Sequence, residues 1–367
     1  MDLDKSDAGH ARSLVPERVM VRDIEHVRWV GCLNPNEVTG TLPIANPVNQ
    51  HEYKPSYVRQ GDELVCYVAG PDVRDQVQHA WKRLDYGQLN TVADDSPAAL
   101  TQLRNAVSDG LAKLRSKPAT VLYARLDSFI IVKHTLELIA RRAATVDDVA
   151  SVLASFESKR LAARFRLDPP DTTGVEELVS DGFVRMALVR DLDLLVVNLP
   201  WGEAVSRALA ETVGPLGSCT LVVGGAGACS FGLDVESVFC AREVVAEGVQ
   251  FRSISNVLAD SARRLGIDVS EGRLESIPRS MLAPSDPEAD VVETESAFML
   301  PSFGADCTVG VMHYVMDNAR AGLPLSRTYY NQAWLSSLVR QRQRGKYLCY
   351  AAVLEHCGVD GKELLRT

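Results

Sequence analysis

Three features of this chain combine residue types that could serve a ligand or a reaction. The first is a glycine-rich stretch, Gly224, Gly225, Ala226 and Gly227, inside CTLVVGGAGACSFG (219–232). It reads as a buried strand ending in a glycine-rich loop. The second is Glu295, in VETESA (292–297), just ahead of an apolar helical stretch. The third is Asp317, which follows the apolar run TVGVMHYVM (308–316). Taken singly, each carboxylate reads as a helix cap or a solvated loop charge. The glycines alone read as a turn that lets a strand end pass close to its neighbours. Taken together, all three fall at the ends of strands along one edge of one sheet. In open α/β sheets that edge, beyond the carboxyl ends of the strands, is where ligands bind.

Several familiar chemistries are excluded by spacing. A dinucleotide fingerprint needs G-x-G-x-x-G and then a helix. Here Gly225-Ala226-Gly227 is followed by Ala228, Cys229 and Ser230, and the next element reads as a strand. No Gly-Lys-Ser/Thr marks a P-loop, no G-x-S-x-G elbow supplies a nucleophile, and no H-E-x-x-H is present. The eight cysteines form no C-x-x-C pair, and the seven histidines add no ligand spacing. Cysteines inside apolar runs such as LVCYV and YLCYA read as buried thiols of a reducing cytoplasm. Neither a metal nor a redox cofactor is expected.

The elements that must position these residues alternate. An arm covers residues 1–20, followed by strands at 27–33 and 62–70 with loop at 34–60 between them. A helix opens at Pro71 and runs to about Leu84. Ser96-Pro97 starts another, with Leu100, Leu103, Val107, Leu111 and Leu114 on one face. This half, 21–117, reads as an α+β domain with no chemical motif. From about 118 strands alternate with helices, which predicts an α/β domain over 118–367 with a largely parallel sheet. Its strands are predicted at 119–126, 182–189, 193–200, 219–232, 235–245, 269–277 and 308–316. Its helices are predicted at 129–142, from Thr145 to about Phe165, 202–213, 255–266, 330–343 and 347–357, with a helical start after 292. Loops are expected at 167–174, 282–290 and 317–326.

Composition agrees with a folded, two-domain chain. Its 367 residues are 46% hydrophobic and 24% charged, a globular balance. Net charge is −9, from 39 basic and 48 acidic residues, which disfavours a nucleic-acid partner. No apolar run of membrane length exists. The polar opening MDLDKSDAGHARS has no apolar core of a signal peptide, so a cytoplasmic location is expected.

The order of segments over about 118–360 resembles the purine nucleoside phosphorylase and nucleosidase superfamily. VVNLPWGEAVSRALAETV (196–213) is similar to its strand and glycine-containing helix start. CTLVVGGAGA (219–228) is similar to its G-x-A-G strand, VVETESAF (291–298) to its Glu motif, and HYVMDNARAG (313–322) to its Asp motif. The resemblance implies a twisted mixed sheet flanked by helices, a small nucleoside-like ligand and a homo-oligomer. It also implies cleavage of an N-glycosidic bond, with Glu295 holding a ribose hydroxyl and Asp317 protonating the leaving base. A carboxyl near a base nitrogen can neutralise the charge that develops as the bond breaks, provided burial keeps it protonated.

Departures from the pattern bear on the nucleophile. Thr294 replaces the usual Met beneath the ribose, Gly225 stands where a Ser or Thr is common, and Val222 replaces the Arg of many phosphorylases. Arg125, in YARLD (123–127), is the nearest substitute for an arginine phosphate loop. Phosphate needs several donors, preferably arginine. Water is therefore the expected nucleophile, with phosphorolysis, or an inactive fold-mate that binds or scaffolds, as the alternatives. Trp201 and Phe231 flank the loops and could stack a base or pack. Asn318 could bond a base edge or turn the chain. Arg185 and Arg190 read as solvent-facing or ion-paired.

Overall fold

The computed structural model describes residues 14–17, 21, 23–43, 55–85, 90–142, 172–181, 184–199, 202–214, 216–247, 249–278, 286–318, 320 and 337–360. The helix expected from Thr145, and Trp201, lie outside them. Two sheets organise the chain. The first takes its strands from β1 (His26–Gly31), β2 (Ser56–Gln60), β3 (Glu63–Val68) and β4 (Asn90–Asp95), in the order β2-β3-β1-β4. β1 is parallel to both neighbours, and β2 closes a hairpin with β3. Two strands here were not expected. β2 lies in the stretch read as loop, and β4 is exposed throughout, its Val92 and Ala93 included. An exposed edge strand lacks the alternation that periodicity detects. Helices α1 (Pro71–Arg83) and α2 (Ala98–Leu111) fall where the apolar spacing predicts.

The larger sheet has ten strands and is mixed, not largely parallel. Its first strand in sequence is the central β5 (Thr120–Ala124), which carries α3 (Leu126–Arg142) at its end. β5 lies parallel between β8 (Leu194–Asn198) and β9 (Cys219–Ala228). β7 (Val184–Val189) pairs antiparallel with β8, as the expected hairpin. β6 (Val175–Asp181), unforeseen, adds the edge. Beyond β9 come β10 (Val238–Ala246), β11 (Val249–Ser253), β12 (Val269–Ser276), β13 (Val291–Glu293) and β14 (Thr308–Asn318).

Part of this sheet closes on itself. β9 pairs with β14, β14 with β10, β10 with β12, β12 with β13, and β13 returns to β9. Closure requires β9 and β14 to be long, and they run ten and eleven residues. It also explains why the glycines lie within β9 and not in a loop after it. Side chains at Gly224, Gly225 and Gly227 would meet Leu199, Met316 and Asp317 within ordinary contact distance or less. Glycine lets the bending strand pass its neighbours there.

Helices cover both faces. On one side α4 (Glu203–Val213) packs against α2 and the short α6 (Ser296–Met299); on the other, α5 (Val257–Arg264) and α7 (Ser337–His356) pack together. α7 is one helix among the described residues, where two were expected. Alternate residues of β9 serve the two layers. Val222 and Ala226 join the cluster that includes Val205, Leu209 and the first half's Trp29 and Trp81, while Leu221 and Val223 join Phe129, Leu258 and Tyr350.

The two halves are joined by a buried carboxylate. Asp72 in α1 accepts from the backbone amides of Ala204 (2.8 Å) and Val205 (3.2 Å), capping α4. Gly202, at φ +94°, precedes that helix, and a methyl group there would lie 2.6 Å from the Asp72 Cβ. Burial pushes the Asp72 carboxyl up to about 6 against the opposing effect of the two amides. Among the described residues, no helix is long and apolar enough to cross a membrane.

Candidate functional site

The register of β9 sets the strands of the two acidic motifs on either side of one glycine. Gly227 pairs with Val292 of β13 on one side and with Asp317 of β14 on the other. At roughly 4.8 Å per strand, the backbones of β13 and β14 stand about 10 Å apart. A register shift between Val315 and Asp317 makes room for Met316, whose sulfur lies over Gly225. A bulge of this kind re-aims the following side chain. A methyl group on Gly227 would lie 3.2 Å from Asp317 Oδ1 and 3.5 Å from Val292 Cγ2, so the carboxyl rests against that bare backbone.

Asp317 is partly exposed at its surface yet sits deep in the protein. Burial alone pushes its carboxyl up to about 7, and no hydrogen bond is made to it among the described residues. A carboxyl that titrates near neutrality, keeps contact with solvent and lacks an internal partner is a competent proton donor.

Glu295 is placed differently. It begins α6, is buried, and turns back on its own neighbour. Thr294 presents its backbone amide (3.1 Å) and its hydroxyl to the Glu295 carboxyl. Burial, then the nearby Glu293, holds the Glu295 carboxyl well above the usual carboxylate range. Thr294 thus anchors Glu295 from the position where the resemblance implied an apolar contact.

The amide of Asn318 donates to the Ser230 and Leu233 carbonyls, both at 2.7 Å, and fastens the loop after β9. Phe231 stands on that loop with 75% of its surface exposed. Arg125 is exposed at the end of β5, and its carbonyl accepts from the Tyr350 hydroxyl at 3.4 Å. Arg185 is ion-paired with Asp127 and Glu177, and Arg190 with Glu176. Gly224 and Ala226 face the opposite side of β9 from Gly225 and Gly227. Leu199 and the buried His313 lie against Gly224.

The sequence did not single out Glu293 or Ser276. Glu293 accepts from the amides of Glu295 (2.8 Å) and Ser296 (2.9 Å) and from the Ser276 hydroxyl. Ser276 Oγ accepts in turn from the Ala297 amide at 2.8 Å. The signal was available: the first amides of any helix need acceptors, and a glutamate just upstream is a candidate. Burial lowers the His313 imidazole, which faces the Ser296 hydroxyl at 3.4 Å. No group of three or more metal-ligating side chains occurs among the described residues. A separate groove of about 360 Å³, lined by Arg207, Glu211, Phe298, Pro301 and Ser302, opens on the outer side of α4 and touches neither Asp317 nor Glu295.

No family model and no curated protein matches the chain. Solved structures do. A 5'-methylthioadenosine/S-adenosylhomocysteine nucleosidase from Neisseria meningitidis aligns at 14% identity and TM-score 0.40, over 64% of this chain and 97% of that one. Purine nucleoside phosphorylase from Toxoplasma gondii aligns at 14% and 0.42, over 66% and 90%. Futalosine hydrolase of Helicobacter pylori aligns at 16% and 0.41, over 63% and 95%.

Proposed function

We propose that the junction of β9, β13 and β14 cleaves the N-glycosidic bond of a nucleoside or nucleoside-like metabolite by hydrolysis, with Asp317 as general acid. The observation that carries this reading is the Asp317 carboxyl, desolvated to about 7 and without a hydrogen bond among the described residues. In the reaction the bond between the sugar carbon and the base nitrogen breaks, and its electron pair leaves with the base. Asp317 supplies the proton that neutralises the base. Water adds to the sugar carbon and gives up a proton, which restores the acid. A ligand spanning the roughly 10 Å between β13 and β14 would set its base toward Asp317 and its sugar toward Glu295. Gly225 and Gly227 would form the floor, with Arg125 at the rim.

Water is favoured over phosphate because Arg125 is the one arginine near the place of the family's phosphate loop, and a phosphate site needs several donors. The test is incubation of the purified protein with a panel of nucleosides, with and without inorganic phosphate, and chromatographic detection of free base. Base released without phosphate supports hydrolysis. Release only with phosphate replaces it by phosphorolysis, and no release from any nucleoside removes the enzymatic reading.

A further inference from the structure

Two buried carboxyl groups, Glu293 and Glu295, stand two residues apart at the start of α6, and their donors are unequally shared. Glu293 collects three donors from three residues: the amides of Glu295 and Ser296 and the hydroxyl of Ser276. Each favours a charged acceptor. Glu295 takes the amide and the hydroxyl of Thr294, and its side chain also hydrogen-bonds Glu293, a contact between two carboxyls that favours a proton on Glu295. A hydroxyl can equally accept, so the Thr294 contact also suits a protonated Glu295. Two adjacent carboxylates shielded from water cannot both stay ionised cheaply. The group facing Glu293 from β14 is His313, whose lowered pKa leaves it neutral and unable to balance a second negative charge.

We infer that Glu293 and Glu295 form one proton-sharing pair, in which Glu293 carries the negative charge and positions Glu295 as a neutral hydrogen-bond donor to the ligand. Glu293 is a positioning residue. It fixes the first turn of α6 and sets the protonation of the side chain that turn carries. Only the ligand-facing half of this inference rests on the nucleoside reading. A neutral Glu295 would donate to a sugar oxygen where an ionised one could only accept. The negative charge available to a developing sugar cation would then sit two residues back, on Glu293.

The test is ¹³C NMR of the full chain labelled at the glutamate side-chain carboxyl carbons, titrated with pH. Aspartates are silent in such a sample, so Asp317 does not interfere. Loss of one signal in Glu295→Gln assigns Glu295. The expected result is a Glu295 carboxyl still protonated at pH 7. In Glu293→Gln its midpoint should fall by about one pH unit or more, since the like charge beside it is gone. Should Glu293→Gln not fold, Ser276→Ala serves. It takes one donor from Glu293, weakens that residue's hold on the charge and also lowers the Glu295 midpoint. A Glu293 that only capped the helix would change thermal stability and leave the midpoint unmoved. A Glu295 ionised at pH 7 in the unaltered protein, or a midpoint unmoved in the variants, overturns the pair. None of these readouts involves turnover, so they stand whether or not a nucleoside is cleaved.

Discussion

Asp317 and the Glu293–Glu295 pair lie on, or just beyond, strands that flank the same glycine, and both are withdrawn from water, yet they are built in opposite ways. The pair is wrapped in amides and hydroxyls that fix its geometry. Asp317 has burial alone. Desolvation with partners makes a rigid scaffold, whereas desolvation without them makes a reactive group and costs stability. Asp72 stands between the two, with two backbone donors and a carboxyl still pushed up to about 6.

The largest expected effect breaks the comparison on the activity side. Asp317→Asn removes the proton donor and keeps the shape, so base release should fall by roughly 100-fold or more. In the unaltered protein the proposed acid must be protonated to act, and its carboxyl titrates at about 7. Turnover should therefore decline as pH rises through about 7. Full activity in Asp317→Asn, or a rate that climbs above pH 7, removes Asp317 from the chemistry.

Stability should respond to the same substitution with the opposite sign. The folded carboxyl titrates at about 7, against an ordinary value of 3.8. The folded state then holds the proton more tightly than the unfolded chain. Its contribution is full below about pH 4 and is lost as pH rises toward 7 and beyond. At pH 8 Asp317→Asn should be more stable than the parent by a few kcal/mol, with the gap closing at pH 4. Denaturant unfolding at the two pH values checks this. A variant less stable at pH 8 would mean that Asp317 has gained a partner that offsets its burial.

Gly202→Ala tests the intermediate case. At φ +94° an alanine is strained, and its Cβ would collide with Asp72. A loss of about 2 kcal/mol or more is expected, measured by thermal or denaturant unfolding. A neutral outcome would show that Asp72 does not lock α4 to the first half.

The contrast between the carboxyl groups was only half legible in the sequence. Glu295 and Asp317 stood out because each follows or precedes an apolar run, a local signal. That their strands share Gly227 is a matter of register, and register is fixed by pairing between segments some 65 to 90 residues apart. The closed ring of strands was hidden for the same reason. Periodicity reported α1, α2, α4, α5 and the buried strands well, because an apolar face is written along one segment. It missed β4 and β6, whose positions at the sheet edges leave much of their surface in water. It ended β9 at the glycines, because glycine usually punctuates a strand; here it permits a bend against Leu199 and Met316. Glu293 was passed over because acceptors for a helix start become visible only once the helix is known to start there.

The smallest effects separate Phe231, on the loop after β9, from Asn318, at the end of β14, which holds that loop; both could have met a base. Asn318 is fully buried and its amide holds two carbonyls. Asn318→Ala should cost about 2 kcal/mol, because it leaves those carbonyls without their donor. Phe231 is largely in water, so Phe231→Ala should change stability by less than about 0.5 kcal/mol. The informative measurement for Phe231 is the Michaelis constant for a cleaved nucleoside. A rise without loss of stability would mean that the ring folds down onto the base, extending the site across the loop that Asn318 anchors. An unchanged constant would confine the proposed site to β9, β13 and β14, without the loop that Asn318 anchors.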